Sequence, residues 1–271
     1  MFKYSKEEIQ KITKTNMDAW NEVMPLHQLA AKSKLDKEFS KKGFSVIPEN
    51  ELMELNNIGF HAKNIIHLAC NNGIELLSLK NLGAGTCLGV DISEEAIKEA
   101  KERADKCNIA VDFIQSDVYE LSEYFNNQFD IVYFTIGALC WMPDLEKLWM
   151  TANRLLKENG IIFIHELHPF ALIFAGDENK ENPLQIKYPY FTSEPEIYND
   201  SLDYVGKSKE KGKTKINFTH TVSDIIQSLL LCNFKIINFM EYPTDISTIF
   251  TSIERLKLSL PLSFIMIAQK S

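Results

Sequence analysis

The chain is poor in the features that announce special classes. No uncharged apolar stretch approaches the roughly 20 residues that span a bilayer, so no membrane partner is expected. The start, "MFKYSKEEIQKITK", has no apolar h-region, which argues against secretion and for a cytoplasmic protein. Five cysteines (Cys70, Cys87, Cys107, Cys140 and Cys232) are scattered without a C-x-x-C pair. They read as small buried residues in a reducing compartment. Positive charge is short: 29 Lys and Arg stand against 37 Asp and Glu, a net charge of −8. A phosphate backbone would be repelled by such a surface, so no nucleic-acid partner is expected. One basic stretch, residues 205–215 "VGKSKEKGKTK", reads as a solvated hairpin or loop. Repeats and low-complexity tracts are absent.

What is present is a strand–helix rhythm. The length, 271 residues, allows one large α/β domain with a cap, and 45% apolar against 24% charged residues is ordinary for a globular chain. Residues 65–69 form a short apolar run, as in a strand covered on both faces. A helix follows Gly73, with Ile74, Leu77 and Leu82 inward. "TCLGVD" is a second strand ending at Asp91. Ser93 then caps a helix whose first turn carries Glu94 and Glu95, and whose Ile97, Ala100 and Ala104 share one face. "VDFIQSD" is a third strand ending near Asp117, and "FDIVYF" a fourth. A helix is expected over 144–157, closed by "KENG", before a fifth strand, "IIFIHE". This alternation predicts a parallel sheet with right-handed crossovers. The first 60 residues read as mainly helical. Residues 170–219, with Pro183, Pro189 and Pro195 and no period, read as a functional insertion. A helix over 221–231 then precedes two strands, "FKIINFMEY" and "LPLSFIMIAQK", expected to be antiparallel neighbours.

The turn after the first strand holds a single glycine. A strand–turn–helix loop followed by an acid near the next strand's end suits a nicotinamide dehydrogenase and an S-adenosylmethionine enzyme alike, because a carboxylate can accept from a ribose diol in both. Asp91 has that position. A dinucleotide pyrophosphate calls for three glycines, and here those places hold Ala69, Asn71 and Gly73. A phosphate-free nucleoside relaxes that demand, since Asn tolerates a left-handed turn and Ala69 is small. The terminal strand pair points the same way.

Taken together, "HLACNNG", "LGVDIS", "QSDVYEL", "FDIVYFTIGALCWMPDL", "RLLKENGIIFIHELHP" and "HTVSDIIQSLLLCNFKIINFMEYP" resemble a class I S-adenosylmethionine-dependent methyltransferase of the bacterial small-molecule type, over nearly the whole chain. The resemblance implies a Rossmann-like α/β fold: a seven-stranded, mostly parallel sheet with an antiparallel last strand and helices on both faces. It implies an N-terminal helical cap over 1–60, a methyltransferase domain over 61–271, and a substrate-side insertion over 170–219. It implies S-adenosyl-L-methionine as cofactor. Leu68, Ala69, Cys70, Asn71 and Gly73 would wrap its methionine and ribose portion. Asp91 would take the ribose hydroxyls, with Ile92 beside the adenine. Asp117 would accept from the adenine amino group and Val118 read the ring through its backbone. Thr135, Ile136 and Gly137 would line the methyl-donor end. One departure stands out: most class I enzymes carry Asp or Glu where this chain has His67, which is expected to be a neutral, locally hydrogen-bonded strand residue.

Methyl transfer needs alignment more than a catalytic triad. Candidates for a general base are Glu166 and His168 in "HELHP"; the bland reading is a histidine that fixes the entry to the insertion. Glu166, His168 and His220 match no zinc spacing, so no metal is expected. Trp141, after the fourth strand, either meets the acceptor or packs the next helix. Trp20 and His27 on the N-terminal helix, with Tyr188 and Tyr190 in the insertion, are candidate acceptor-side residues; as plain packing they would bury a helix face. The leading expectation is methyl transfer to a small molecule. The alternatives are a protein that binds the donor or its product without turnover and, further off, a nicotinamide oxidoreductase.

Overall fold

The computed structural model describes residues 3–200, 202 and 211–271. Residues 205–210 of the basic stretch lie outside the described residues; its last described part leads into a short strand.

Seven strands make one sheet. In chain order β1 (Ile65–Leu68), β2 (Cys87–Asp91), β3 (Asp112–Gln115), β4 (Phe129–Phe134) and β5 (Leu156–Leu167) are followed, after the insertion, by β8 (Phe234–Tyr242) and β9 (Ser263–Lys270). The spatial order is β3-β2-β1-β4-β5-β9-β8. The pairs among the first five are parallel, whereas β9 runs antiparallel to both β5 and β8. The last strand therefore slots between the fifth and the eighth, and the expected terminal pair is adjacent and antiparallel. A second sheet of two strands, β6 (Glu196–Tyr198) and β7 (Lys215–Asn217), sits within the insertion.

Alternation along the strands splits the core in two. Ile66, Leu68, Val132, Phe134, Ile162 and Ile164 face α6 (Leu145–Leu155) and α7 (Val222–Leu231). Ile65, Ile131, Tyr133 and Phe163 face the opposite side, against α4 (Ile74–Asn81) and α5 (Glu94–Cys107). Burying both sheet faces is what the continuous apolar strands require. Ser93, Asp144 and Thr221 each cap a helix through a side-chain oxygen. The helix expected over 144–157 is shorter at both ends. Asp144 is its cap, and Leu156 already pairs with Phe129 in the sheet before a bulge resets the register at Ile161.

The N-terminal 60 residues divide. α1 (Lys6–His27) begins with a capping box at Ser5 and Glu8 and contains Pro25; its end widens into a π-helical turn over Gln28–Lys32, after which α2 (Ser33–Phe39) and α3 (Glu49–Asn57) follow. Phe39, Leu55 and Phe60 are buried in the same core as Ile65 and Leu76. α2 and α3 thus pack into the main body, and α1 alone reaches over the carboxyl ends of the strands. α2 is held by Asp36, which meets Arg103 at 3.1 Å, Lys32 at 2.9 Å and Lys106 at 3.1 Å.

Candidate functional site

The loop between β1 and α4 turns left-handed three times, at Ala69 (φ 57°), Asn71 (φ 48°) and Gly73 (φ 72°). These are the three places at which glycine was missed or found in the sequence. The backbone shape is kept although two of the residues carry a Cβ. Asn71 tolerates this conformation well; Ala69 holds it at a cost of about 1–2 kcal/mol. Only at Gly73 is glycine compulsory. A Cβ there would lie 2.5 Å from the Phe113 ring and 3.2 Å from the Ala100 Cβ.

Asp91 organises the loop. Its Oδ2 accepts the Asn71 N–H at 2.8 Å and its Oδ1 the Ser93 N–H at 2.8 Å. Burial pushes its carboxyl up, against these backbone donors. Arg103, fully buried, steadies the next residue by donating to the Asn72 carbonyl at 3.1 Å. Ile92 follows, its carbonyl accepting from Gln115 at 3.1 Å. At the next strand end Asp117 accepts the Tyr119 N–H at 3.0 Å and a hydrogen bond from Thr13 of α1; burial raises it too. Val118 beside it is buried.

The far end of the rim is the turn after β4. Thr135 is buried there, and Ile136 and Gly137 are partly exposed. A Cβ built on Gly137 would meet nothing within 4 Å, so this turn borders open space. Glu166, 5% exposed, grips it from β5: Oε2 accepts the Gly137 N–H at 2.8 Å and the Leu167 N–H at 3.2 Å, and Oε1 accepts the Leu139 N–H at 2.9 Å. Burial raises its pKa despite these donors. His168 is placed otherwise. Its Nδ1 accepts the Phe170 N–H at 3.0 Å, so the neutral ring carries its proton on Nε2, 2.9 Å from Glu241 Oε1. Both base candidates are engaged with the protein, Glu166 on the rim and His168 at the entry to the insertion. His220 meets the Met142 carbonyl at 2.8 Å, so Glu166, His168 and His220 occupy three separate settings.

α1 crosses above the rim. Asn21 Oδ1 accepts from Ser93 Oγ at 2.8 Å, Gln28 donates to the Glu95 carbonyl at 3.2 Å, and Asn16 exchanges two hydrogen bonds with the Ile216 backbone on β7 at 2.8 and 2.9 Å. Trp20 stacks edge-on with Trp141 at 5.4 Å and with His27 at 6.4 Å. Three of the predicted acceptor-side residues are therefore brought together. Tyr188 and Tyr190 are not in that group: the Tyr188 hydroxyl donates to Glu178 at 3.0 Å, and the Tyr190 hydroxyl meets the Val222 N–H at the start of α7.

Beneath the loop lies a buried polar cluster. His67, 1% exposed, bonds Thr135 Oγ1 through Nε2 at 2.9 Å, and burial drives its pKa down to about 3. It is neutral, as expected. Glu51 of α3 joins the Tyr133 hydroxyl to His165 Nδ1, the latter at 2.7 Å. Glu75, in the first turn of α4, has its carboxyl pushed up to about 7, first by burial and then by the charge of Glu51. Sequence reasoning passed over Glu51 and Glu75. The available signal was an acid two residues beyond Gly73, on a loop whose strand acid is missing.

The residues expected to meet the donor, 68–73, 91–92, 117–118 and 135–137, include no Lys or Arg to neutralise a pyrophosphate and do include two carboxylates, a composition suited to a phosphate-free cationic nucleoside. Residues 66–164 match the family model described as a methyltransferase domain. The chain is 22% identical over 177 residues to the uncharacterised methyltransferase YbaJ of Bacillus subtilis, covering 65% of this chain and 68% of that protein. It is 27% identical over 178 residues to the ubiquinone biosynthesis O-methyltransferase of Bradyrhizobium diazoefficiens, covering 63% and 67%. The alignments thus span about two thirds of each relative's length. Among solved structures, the S-adenosylmethionine-dependent methyltransferase of Mesorhizobium loti superposes with a TM-score of 0.59 at 21% identity, over 81% of this chain and 97% of that one.

Proposed function

We propose that the chain is a class I S-adenosylmethionine-dependent methyltransferase that methylates a small-molecule acceptor in the cytoplasm. Bound S-adenosylmethionine supplies an activated methyl group on a positively charged sulfur. The work left to this chain is binding, alignment and exclusion of water. Asp91 holds the ribose hydroxyls, and Asp117 with the Val118 backbone holds the adenine. Leu68, Ala69, Cys70, Asn71 and Gly73 curve around the middle of the donor, and Ile92 packs beside it.

The methyl-bearing end faces Thr135, Ile136 and Gly137. Glu166 acts there as a positioning residue: the Gly137 and Leu139 N–H groups that donate to it keep the turn in place. The acceptor enters under α1, where Trp20, Trp141 and His27 form an aromatic wall suited to a small organic molecule. α1 covers the rim as a cap, and residues 170–219 complete the acceptor side.

The observation that carries this reading is the loop with three left-handed residues, two of them not glycine, fastened to Asp91. A fold that merely joined a strand to a helix would have no reason to keep that strained shape. The test is incubation of the protein and S-adenosylmethionine with a fractionated metabolite extract, following S-adenosylhomocysteine by mass spectrometry. Product release that depends on a low-molecular-weight fraction is expected. Donor binding with no product from any fraction would favour the binding protein without turnover.

A further inference from the structure

We propose that Arg103 is a positioning residue for the methyl donor: from α5 it fixes Asn72 in the β1–α4 loop, and through Asp36 it ties that loop to α2. The inference rests on the donor-binding reading above and adds what holds the donor loop in shape.

Asn72 lies between two left-handed residues, Asn71 and Gly73. Each of its polar groups is engaged. Its N–H donates to Asn71 Oδ1 at 2.7 Å, its Nδ2 donates to Glu99 Oε1 at 3.2 Å, and its carbonyl accepts from Arg103 Nη1 at 3.1 Å. Glu99 and Arg103 stand one turn apart on α5, so one helix face grips both the side chain and the backbone of the same loop residue. The guanidinium is divided three ways. Nη1 takes the loop, Nη2 takes Glu99 Oε1, and Nε takes Asp36 Oδ1 at 3.1 Å. Asp36 belongs to α2, which follows α1 through the π-helical turn at Gln28–Lys32. Arg103, Glu99 and Asp36 are all buried.

A brace between two helices would need only the Asp36 contact. The donor aimed at the Asn72 carbonyl goes further, because it anchors a loop whose left-handed alanine and asparagine do not hold that shape by themselves. A buried charge persists only where its hydrogen-bonding directions are met, so the fork fixes loop, α5 and α2 relative to one another. Lysine cannot replace it: an ammonium is a compact point charge and does not span three partners in a fixed plane. Donor binding settles the loop, and the same network carries that settling into α2.

The experiment is calorimetry with S-adenosylhomocysteine on wild type, Arg103→Lys and Asp36→Asn, each well below its own melting transition. Arg103→Lys should bind roughly tenfold more weakly. Asp36→Asn, altered on α2 and not at the rim, should weaken binding in the same direction. Lys106→Ala, which removes an exposed partner of Asp36 and leaves Arg103 in place, should stay within about twofold of wild type. A lower Tm with unchanged affinity in Arg103→Lys would make the residue a brace only and overturn the assignment. Amide hydrogen exchange puts the same question to wild type without a variant: S-adenosylhomocysteine should slow exchange in residues 68–75 and also in 33–39. Protection confined to the loop would overturn the coupling to α2. Wild type that does not bind S-adenosylhomocysteine would instead overturn the donor-binding reading, and this inference with it.

Discussion

Replacing Glu166 by Gln separates two roles for one side chain. The carboxylate has three backbone N–H donors, at 2.8, 2.9 and 3.2 Å. A glutamine carbonyl can keep the one or two on its own side; the amide NH2 then confronts an N–H on the other. Burial raises this carboxyl's pKa against its backbone donors. The loss is the mismatched donor pair, about 1–3 kcal/mol for a buried unsatisfied group. For a chain of this size that corresponds to a fall in Tm of about 2–10 °C. Because the strain falls on Gly137 and Leu139, the affinity for S-adenosylhomocysteine should drop by about fivefold or more, while the pH profile of kcat keeps its shape. Thermal scans, calorimetry and a pH series on a substrate found in the screen read all three. A general base would behave differently: kcat would fall by about 10²–10⁴ with Tm and affinity unchanged. That outcome would refute the positioning role.

Other outcomes follow from the same geometry. Asp91→Ala removes the acceptor for the Asn71 and Ser93 N–H groups and the proposed acceptor for the ribose, so S-adenosylhomocysteine binding should weaken roughly ten- to a hundredfold by calorimetry. Ala69→Gly relieves a left-handed alanine and should stabilise the fold by up to about 1 kcal/mol in urea titration, whereas Gly73→Ala drives a Cβ into Phe113 and should destabilise it by several times that. His67 has a folded pKa of about 3 against 6.5 for the free side chain. Its contribution is therefore intact above pH 6.5 and is lost as pH falls toward 3. His67→Asn should flatten the acid side of the stability curve by up to about 1.4 kcal/mol per pH unit in that window; an unchanged slope would contradict the buried neutral assignment.

How much was legible from sequence depended on the range of the interaction. Buried apolar runs such as "IIHL" and "FDIVYF" carry strand identity locally, and the acids at Asp91 and Asp117 mark strand ends by position alone. The antiparallel pairing of the last two strands was legible because no full helix stands between them; residues 243–262 hold only the five-residue α8 (Thr251–Arg255). The end of the helix before β5 was misread because "KENG" looks like a helix terminus, while Leu156 is claimed by Phe129 across the sheet. The division of the first 60 residues was hidden for a similar reason. Leu55 and Phe60 differ little in type from residues of a cap, and only their partners in the main core assign them. Asn16 meets Ile216 across 200 residues, which no local pattern encodes. Glu51 and Glu75 escaped notice because acids in a first helical turn already have a sufficient local reason to be there.

The most direct measurement is a crystal structure of the protein with S-adenosylhomocysteine. The account predicts the nucleoside lying along the carboxyl ends of β1, β2, β3 and β4, its ribose hydroxyls on Asp91, its adenine by Asp117 and its sulfur toward Gly137. A ligand bound elsewhere, or a rim that stays empty at saturating concentration, would contradict it.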